Sequence, residues 1–270
     1  MPTVADTARP SSTDYYKVQQ TLDKWKRFTE LPTEVKKDLP YSNNSRGVGY
    51  ELKDGSGNKG DRKENFDISL GGKAWLEENI ASIQHSVVLD FLEYANLLVL
   101  GVKSIIIDFA QDIEKEFGVV GLHNEVVNGT DAFFIRFIYY PADREIGEET
   151  ATAHVDQGGF TLHLGESASG FQILTREGEW IDVPFSEEDT VVIPSMQMQL
   201  RSEGRLRATT HREVATAETT KLPRYSAVCF VGLKNTPSYD KEKWGRLQEM
   251  EPGFNYRLPF EEFKKYFRLL

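Results

Sequence analysis

Ala153-His154-Val155-Asp156-Gln157-Gly158-Gly159 is the stretch around which the rest of the chain is organised. The residues from Thr152 to Asp156 are predicted to form a strand, in which alternate side chains share a face. His154 and Asp156 would then point together into one cavity. A second histidine from another part of the chain would complete a site of two imidazoles and one carboxylate on one side of a metal ion.

The third ligand can be chosen by elimination, since the chain has five histidines. His85 lies in a long helical region, and His123 is predicted to lie in a loop. His163 is nine positions from His154, an odd offset that would turn it to the other barrel face if the strand were continuous. His211 follows a predicted strand at 206–210 and is the best candidate.

Two histidines and one carboxylate on one face leave the opposite side of a metal open, which is typical of non-haem iron(II) oxygenases. A His-x-Asp pair alone is a weak signal. Its position on a predicted strand, the following Gly158-Gly159 and the distant His211 in another strand context make it stronger.

The composition is that of a globular protein, with 270 residues, 27% charged and 39% hydrophobic. With a net charge of −10, the protein lacks the excess of basic residues that nucleic-acid binding requires. The single cysteine, Cys229, lies in an apolar run and excludes an intrachain disulfide, which fits a reducing compartment. No stretch is long and apolar enough for a membrane span, and no secretory signal is evident. We therefore expect a cytoplasmic protein without nucleic-acid or membrane partners; the sequence predicts no oligomeric state.

The order of predicted elements favours a mixed α+β fold in one domain, 1–270. Amphipathic patterns predict helices at 14–29 and across 77–117, within a helical N-terminal part that spans 13–130. Residues 131–235 would form a β-barrel or sandwich, since short strands of even spacing suit a jelly roll. Residues 236–270 would be an extension with a closing helix at 259–267. Evenly spaced strands are predicted at 133–141, 152–156, 160–164, 171–175, 180–183, 190–194, 206–210 and 224–231.

Further motifs place the chain beside a known family. His154-x-Asp156, His211 and Arg224-Tyr225-Ser226 resemble the iron(II)- and 2-oxoglutarate-dependent dioxygenases of the isopenicillin N synthase-like group. Further sequence motifs are similar to those of the same family, including Arg46-Gly47-x-Gly49-Tyr50 and Gly178-Glu179-Trp180. The resemblance implies a double-stranded β-helix (jelly-roll) core with flanking helices.

The resemblance also implies ligands and roles. Iron(II) would be held by His154, Asp156 and His211, and the distal carboxylate of the cosubstrate 2-oxoglutarate by Arg224 and Ser226. Arginine offers a planar fork that matches a carboxylate, and serine adds one donor.

Tyr140 matches a tyrosine that often helps to hold the cosubstrate, but Ile138 stands where the family commonly has asparagine. The family usually begins with a strand and a helix before the region that matches residues 25–28. We expect no room for both here, with 1–12 as a frayed leader.

The expected function is oxidation of a small molecule by O2, coupled to oxidative decarboxylation of 2-oxoglutarate. Aspartate at position 156 argues against halogenation. The substrate would be a secondary metabolite or derived from an amino acid, with Arg46, Glu64 and Phe66 as candidate contacts. Hydroxylation, desaturation and cyclisation all stay open. The alternatives are an iron-dependent oxidase of the same fold that does not use 2-oxoglutarate, and a non-catalytic binding barrel.

Overall fold

The computed structural model describes most of the chain, in separate segments. They are 6–8, 12–41, 47–55, 62–79, 83–129, 133–175, 177–183, 190–202 and 205–234. Arg46 and the predicted extension 236–270, with its helix, lie outside this set. Among the described helices, none combines the length and the apolar character needed to cross a membrane.

Two antiparallel sheets form the centre of the described structure. The larger sheet has the strand order β1-β9-β6-β11-β4-β3-β2, and the smaller has the order β5-β10-β7-β8. The strands are β1 Asp6–Ala8, β2 Gly49–Asp54, β3 Arg62–Ser69, β4 Phe133–Tyr140, β5 Glu149–His154, β6 Phe160–Glu166, β7 Phe171–Leu174, β8 Trp180–Asp182, β9 Thr190–Pro194, β10 His211–Val214 and β11 Arg224–Val231.

The two sheets pack face to face. Phe171 and Ile173 of the smaller sheet share a buried cluster with Val191 and Ile193 of the larger one. Ala151 does the same with three residues of β4 and β11. Antiparallel sheets that enclose a common core form a jelly roll, so the predicted mixed α+β fold class is confirmed.

The outer face of the larger sheet is covered by helices. The helices are α1 Ser12–Thr29, α2 Thr33–Lys37, α3 Leu70–Asn79, α4 Ser86–Phe117, α5 Leu122–Asn128 and α6 Met196–Arg201. Helix α4 ends where the sequence predicts, at Gly118, whose φ of 61° is the left-handed conformation that glycine adopts without strain.

An aromatic cluster joins the helices to the sheet. Trp25 and Phe28 of α1 pack on Phe91 of α4 and on Phe66 of β3, with ring centroids 5.0–6.5 Å apart. All four side chains are fully buried. Loss of one such ring costs about 3–5 kcal/mol, so this cluster fixes the helical layer on the barrel.

Two local predictions are wrong. Residues Asp6–Ala8 form β1, which pairs with β9 over Thr190, Val191 and Val192, and α1 begins at Ser12. The N-terminal strand and helix are therefore both present. Residues 206–210 form no strand, although Leu206 and Ala208 alternate as buried positions and imitate one. The unpredicted helix α6 precedes them.

Candidate metal centre and the neighbouring arginine cluster

His154, Asp156 and His211 meet at one end of the smaller sheet. His154 is the last residue of β5, His211 is the first of β10, and the two are paired across the strands. The Nε2 atom of His154 lies 3.7 Å from Asp156 Oδ1, and that of His211 lies 3.8 Å from Asp156 Oδ2. One ligand atom from each of the three lies within 4.8 Å of the other two, which is the spacing of atoms around one metal ion.

Asp156 reaches the site from a loop. The predicted strand is two residues too long, since β5 ends at His154. The carbonyl of Asp156 accepts a hydrogen bond from the Met196 amide at 2.9 Å. The Thr161 hydroxyl donates to Asp156 Oδ2 at 2.6 Å. These two contacts, and not strand alternation, fix the carboxylate beside the histidines.

Both imidazoles present Nε2 to the site because their other nitrogen is engaged. His154 Nδ1 lies 2.6 Å from the Thr152 carbonyl, and His211 Nδ1 lies 3.1 Å from the Thr209 carbonyl. A carbonyl oxygen only accepts, so each Nδ1 carries the hydrogen and each Nε2 carries a lone pair. Metal-ligating histidines are commonly oriented in this way.

The two glycines after Asp156 let the loop lie against the end of β11. A Cβ at Gly158 would be 2.7 Å from the Val231 carbonyl oxygen, and one at Gly159 would be 2.6 Å from the Leu233 side chain. The Gly159 amide donates to the Val231 carbonyl at 2.7 Å. Glycine is therefore needed here for close backbone approach.

The three ligands differ in exposure. The His154 side chain is 47% exposed, whereas those of Asp156 and His211 are 11% and 7% exposed. Burial lowers the pKa of His211 and outweighs the opposing effect of Asp156. The imidazole is therefore neutral near pH 7, the state in which it binds a metal. The site opens to solvent at His154.

Arg224, at the start of β11, lies in the barrel interior near the metal centre. Its side chain is 3% exposed, and its Nε donates to the Ala168 carbonyl at 3.0 Å. Tyr140 pairs with it across the strands, and the Tyr140 ring lies 5.6 Å from the guanidinium carbon. Ser226 pairs with Ile138 and shares the same face. Arg224, Ser226 and Tyr140 are thus brought together.

Two carboxylates that the sequence did not single out contact Arg224. Its Nη2 donates to Glu166 Oε2 and lies 2.9 Å from Glu213 Oε2. Burial raises the pKa of Glu213 to about 7 against the opposing effect of Arg224. Burial lowers the pKa of Arg224, but Glu166 and Glu213 together raise it above its usual value. The signal was available for Glu213, since it stands two strand positions after His211 and so shares its face.

Several buried polar atoms of this cluster have no hydrogen-bond partner within the described part of the chain. They are Nη1 of Arg224, Oγ of Ser226, Oε1 of Glu166, Oε2 of Glu213, which is near Arg224 without hydrogen-bond geometry, and Nδ1 of His163. Buried polar atoms are normally paired, so this group is suited to receiving a polar ligand.

His163 faces the barrel interior, and the expectation that it turns away is wrong. It pairs with Val228 of β11 and stacks on Phe171 with ring centroids 4.0 Å apart. The loop 155–159 interrupts the strand, so an offset counted from His154 does not set its face. One ligand atom each from His163, Glu166 and Glu213 also lie within 4.8 Å of one another.

The predicted substrate contacts Glu64 and Phe66 lie elsewhere. They pair with Tyr139 and Phe137 of β4, on the face of the sheet that the helices cover. Glu64 binds Lys36 Nζ at 2.6 Å and the Tyr50 hydroxyl at 3.0 Å, and Phe66 is fully buried in the aromatic cluster. The structure does not bring either side chain to the metal centre, because the alternation of β3 points both of them outward.

The fold and the triad together define a class, the jelly-roll proteins with a metal site of two histidines and one carboxylate. A sequence model of the 2OG-Fe(II) oxygenase superfamily matches residues 130–233, which run from β4 to the end of β11 and include the triad and Arg224. Over this segment the chain is similar to the 2OG-Fe(II) oxygenase superfamily.

Curated relatives share part of the chain. "Probable flavonol synthase 6" of Arabidopsis thaliana is 29% identical over 119 residues, which is 43% of this chain and 39% of the relative. 1-Aminocyclopropane-1-carboxylate oxidase 1 of Oryza sativa subsp. japonica is 35% identical over 77 residues, covering 28% of this chain and 24% of the relative. The matched part thus spans two fifths or less of the length of these relatives.

Solved structures are similar over almost the whole chain. T7H of Neurospora crassa, in complex with alpha-KG, has a TM-score of 0.69 at 18% identity and covers 96% of this chain and 85% of that one. The dioxygenase for auxin oxidation of rice has a TM-score of 0.64 at 18% identity, covering 96% and 81%. At these identities the likeness concerns the fold.

Proposed function

We propose that the chain is an iron(II)-dependent oxygenase that oxidises a small molecule with O2 and couples this to oxidative decarboxylation of 2-oxoglutarate. The observation that carries the proposal is the triad His154, Asp156 and His211, whose ligand atoms lie within 4.8 Å of one another. Iron(II), when bound, supplies the oxidising chemistry that protein side chains lack.

The residues of the chain fit such an ion. Nε2 of His154 and of His211 carry the lone pairs, and Asp156 adds one negative charge. Thr161 and two backbone carbonyls hold the ligands in orientation, so little rearrangement is needed on binding. Since His154 is the most exposed ligand, the open side of the site faces solvent and is available to substrate.

For 2-oxoglutarate, the donor set fits one carboxylate. Arg224 Nη1 and Ser226 Oγ are buried and lack a partner among the described residues, and both are hydrogen-bond donors. Tyr140 lies beside the guanidinium. In this role Arg224 and Ser226 would hold the distal carboxylate of 2-oxoglutarate.

The substrate is proposed to be a small molecule, which is a secondary metabolite or derived from an amino acid in the narrower form of the proposal. T7H of Neurospora crassa was solved with thymine and with 5-formyluracil, and both are small molecules. Arg46 stays a candidate contact for an anionic group of the substrate. Hydroxylation, desaturation and cyclisation are all compatible with the triad.

A second candidate is an iron-dependent oxidase of the same fold that does not use 2-oxoglutarate. Arg224 favours it, because Glu166 and Glu213 already contact its guanidinium. In this function Arg224 would be an internal ion-pair partner, and the electrons would come from the substrate.

Spectroscopic titration separates the two candidates. Anaerobic protein loaded with iron(II) is titrated with 2-oxoglutarate, and the weak visible charge-transfer band of the chelate is expected to appear. A titration with succinate, which lacks the keto group, serves as the control and gives no band. Stoichiometric iron without a band supports the oxidase. Failure of folded protein to bind iron supports a non-catalytic barrel.

A further inference from the structure

Arg224 contacts two buried carboxylates of the chain itself. Glu166 accepts a hydrogen bond from Nη2, and Glu213 Oε2 lies 2.9 Å from the same nitrogen. The side chains of Glu166 and Glu213 are 2% and 8% exposed, so water does not screen these charges effectively.

These contacts involve two of the three nitrogens of the guanidinium. Nε donates to the Ala168 carbonyl, and Nη2 donates to Glu166 and forms an ion pair with Glu213. Nη1 is the guanidinium nitrogen without a partner among the described residues. An incoming carboxylate can therefore reach Nη1 and the Ser226 hydroxyl, but the two-nitrogen fork that makes arginine selective for carboxylates is available only if a glutamate moves away.

The negative charges near Arg224 also disfavour binding of a carboxylate, as does the limited number of free donors. A carboxylate that approaches Nη1 comes close to Glu166 in a buried site, and like charges at such distances repel strongly; Glu213 adds to this repulsion in its ionised form. His163, which lies beside the two glutamates, adds no positive charge that would offset this repulsion. Burial holds its pKa well below the usual value, so the imidazole is neutral.

We propose that Glu166 and Glu213 determine cosubstrate specificity by competing with the distal carboxylate of 2-oxoglutarate for Arg224. This rests on the proposed function. The chain consequently discriminates only weakly between 2-oxoglutarate and a 2-oxo acid whose distal end is uncharged. Removal of either glutamate charge weakens the competition for the guanidinium and lowers the repulsion of an incoming carboxylate, and so restores preference for the dicarboxylate.

Binding calorimetry on anaerobic, iron(II)-loaded protein tests this directly. The two ligands are 2-oxoglutarate and 2-oxopentanoate, which share the chelating end and differ in the distal carboxylate. The measured quantity is the ratio of their dissociation constants. Glu166→Gln keeps the shape and a carbonyl acceptor for Nη2, and it should raise the preference for 2-oxoglutarate at least about tenfold.

Two further variants keep the test decisive. Glu213→Gln should shift the ratio in the same direction, and it replaces Glu166→Gln if that variant does not fold. Glu125→Gln is the matched control, since Glu125 pairs with Arg201 at 2.6 Å and both side chains are at most 8% exposed. It removes a buried carboxylate from an arginine remote from the site and should leave the ratio unchanged.

The outcomes separate the two proposals. A ratio that is the same in wild type, Glu166→Gln and Glu213→Gln overturns the competition, while the use of 2-oxoglutarate stands. Variants that tighten both ligands equally also overturn it, because the effect would then not act through the distal carboxylate. If neither ligand binds any folded, iron-loaded form, the proposed cosubstrate is wrong, and the competition with it.

Discussion

The metal centre and the arginine cluster lie in the same barrel and are prepared in opposite ways. At the metal centre, backbone carbonyls engage Nδ1 of both histidines and leave Nε2 free. At the arginine cluster, side chains of the chain itself engage the functional group, since Glu166 and Glu213 both contact Arg224. The orienting hydrogen bonds of the metal centre are present without a ligand, and Nε2 of both histidines stays available. In the arginine cluster the charge of Arg224 is already paired with glutamates of the same chain. Mutations should therefore affect the stability of the two regions very differently.

Loss of Arg224 should have the largest effect. Arg224→Met leaves Glu166 and Glu213 buried without their cation, and a broken buried pair costs about 3–5 kcal/mol in the free energy of unfolding. Urea denaturation of the metal-free protein measures this cost. Addition of Glu166→Gln and Glu213→Gln to Arg224→Met should recover much of it.

The control for that measurement is His154→Ala, which removes a half-exposed side chain of the metal centre. It should change the free energy of unfolding of the metal-free protein by less than about 0.5 kcal/mol. A loss below about 1 kcal/mol for Arg224→Met would mean that the two glutamates are not held as charges by this arginine.

His211→Ala should come next, through metal affinity. Replacement of partners outside the ligand set commonly costs 10–100-fold in affinity, so removal of a ligand should weaken iron(II) binding by more than about 100-fold. Anaerobic equilibrium dialysis gives the dissociation constant. His123→Ala is the control and should bind iron as the wild type does; His123 lies in α5 and not in a loop as predicted. Unchanged affinity in His211→Ala would show that the third ligand is another residue.

The smallest expected effect concerns the support of Asp156. Thr161→Val removes the hydroxyl that donates to Asp156 Oδ2 at 2.6 Å and nearly preserves the shape of the side chain. Iron(II) affinity should fall about tenfold, the lower end of such losses. Thr161→Ser retains the donor and should behave like the wild type in the same dialysis. Equal losses in both variants would point to packing, not to the hydrogen bond.

The sequence predicted the convergence of three side chains better than the elements that hold them. His154, Asp156 and His211 were identified from residue type and spacing, and their ligand atoms do converge. The strand that was to align the first two ends at His154, because the tertiary hydrogen bonds of Asp156 replace strand pairing. Such contacts join residues far apart in the chain and leave no local periodicity.

The side of the sheet to which a side chain points was harder to predict than the presence of the strand. Glu64 and Phe66 lie on β3 and point toward the helices. His163 points inward, because the loop before it resets the alternation. Strand β1 pairs with β9, about two thirds of the chain length away, and three residues carry too little pattern to reveal it. Glu166 left no signal, since a single acidic residue at a strand end is usually solvated.

The half-exposed imidazole of His154 has a consequence for how an iron ion would enter and leave. The His154 side chain is 47% exposed, whereas those of Asp156 and His211 are 11% and 7% exposed, so uptake would begin at His154 and would require no separation of the two sheets. The folded metal-free protein would then accept the ion, and a chelator in solution would remove it along the same route.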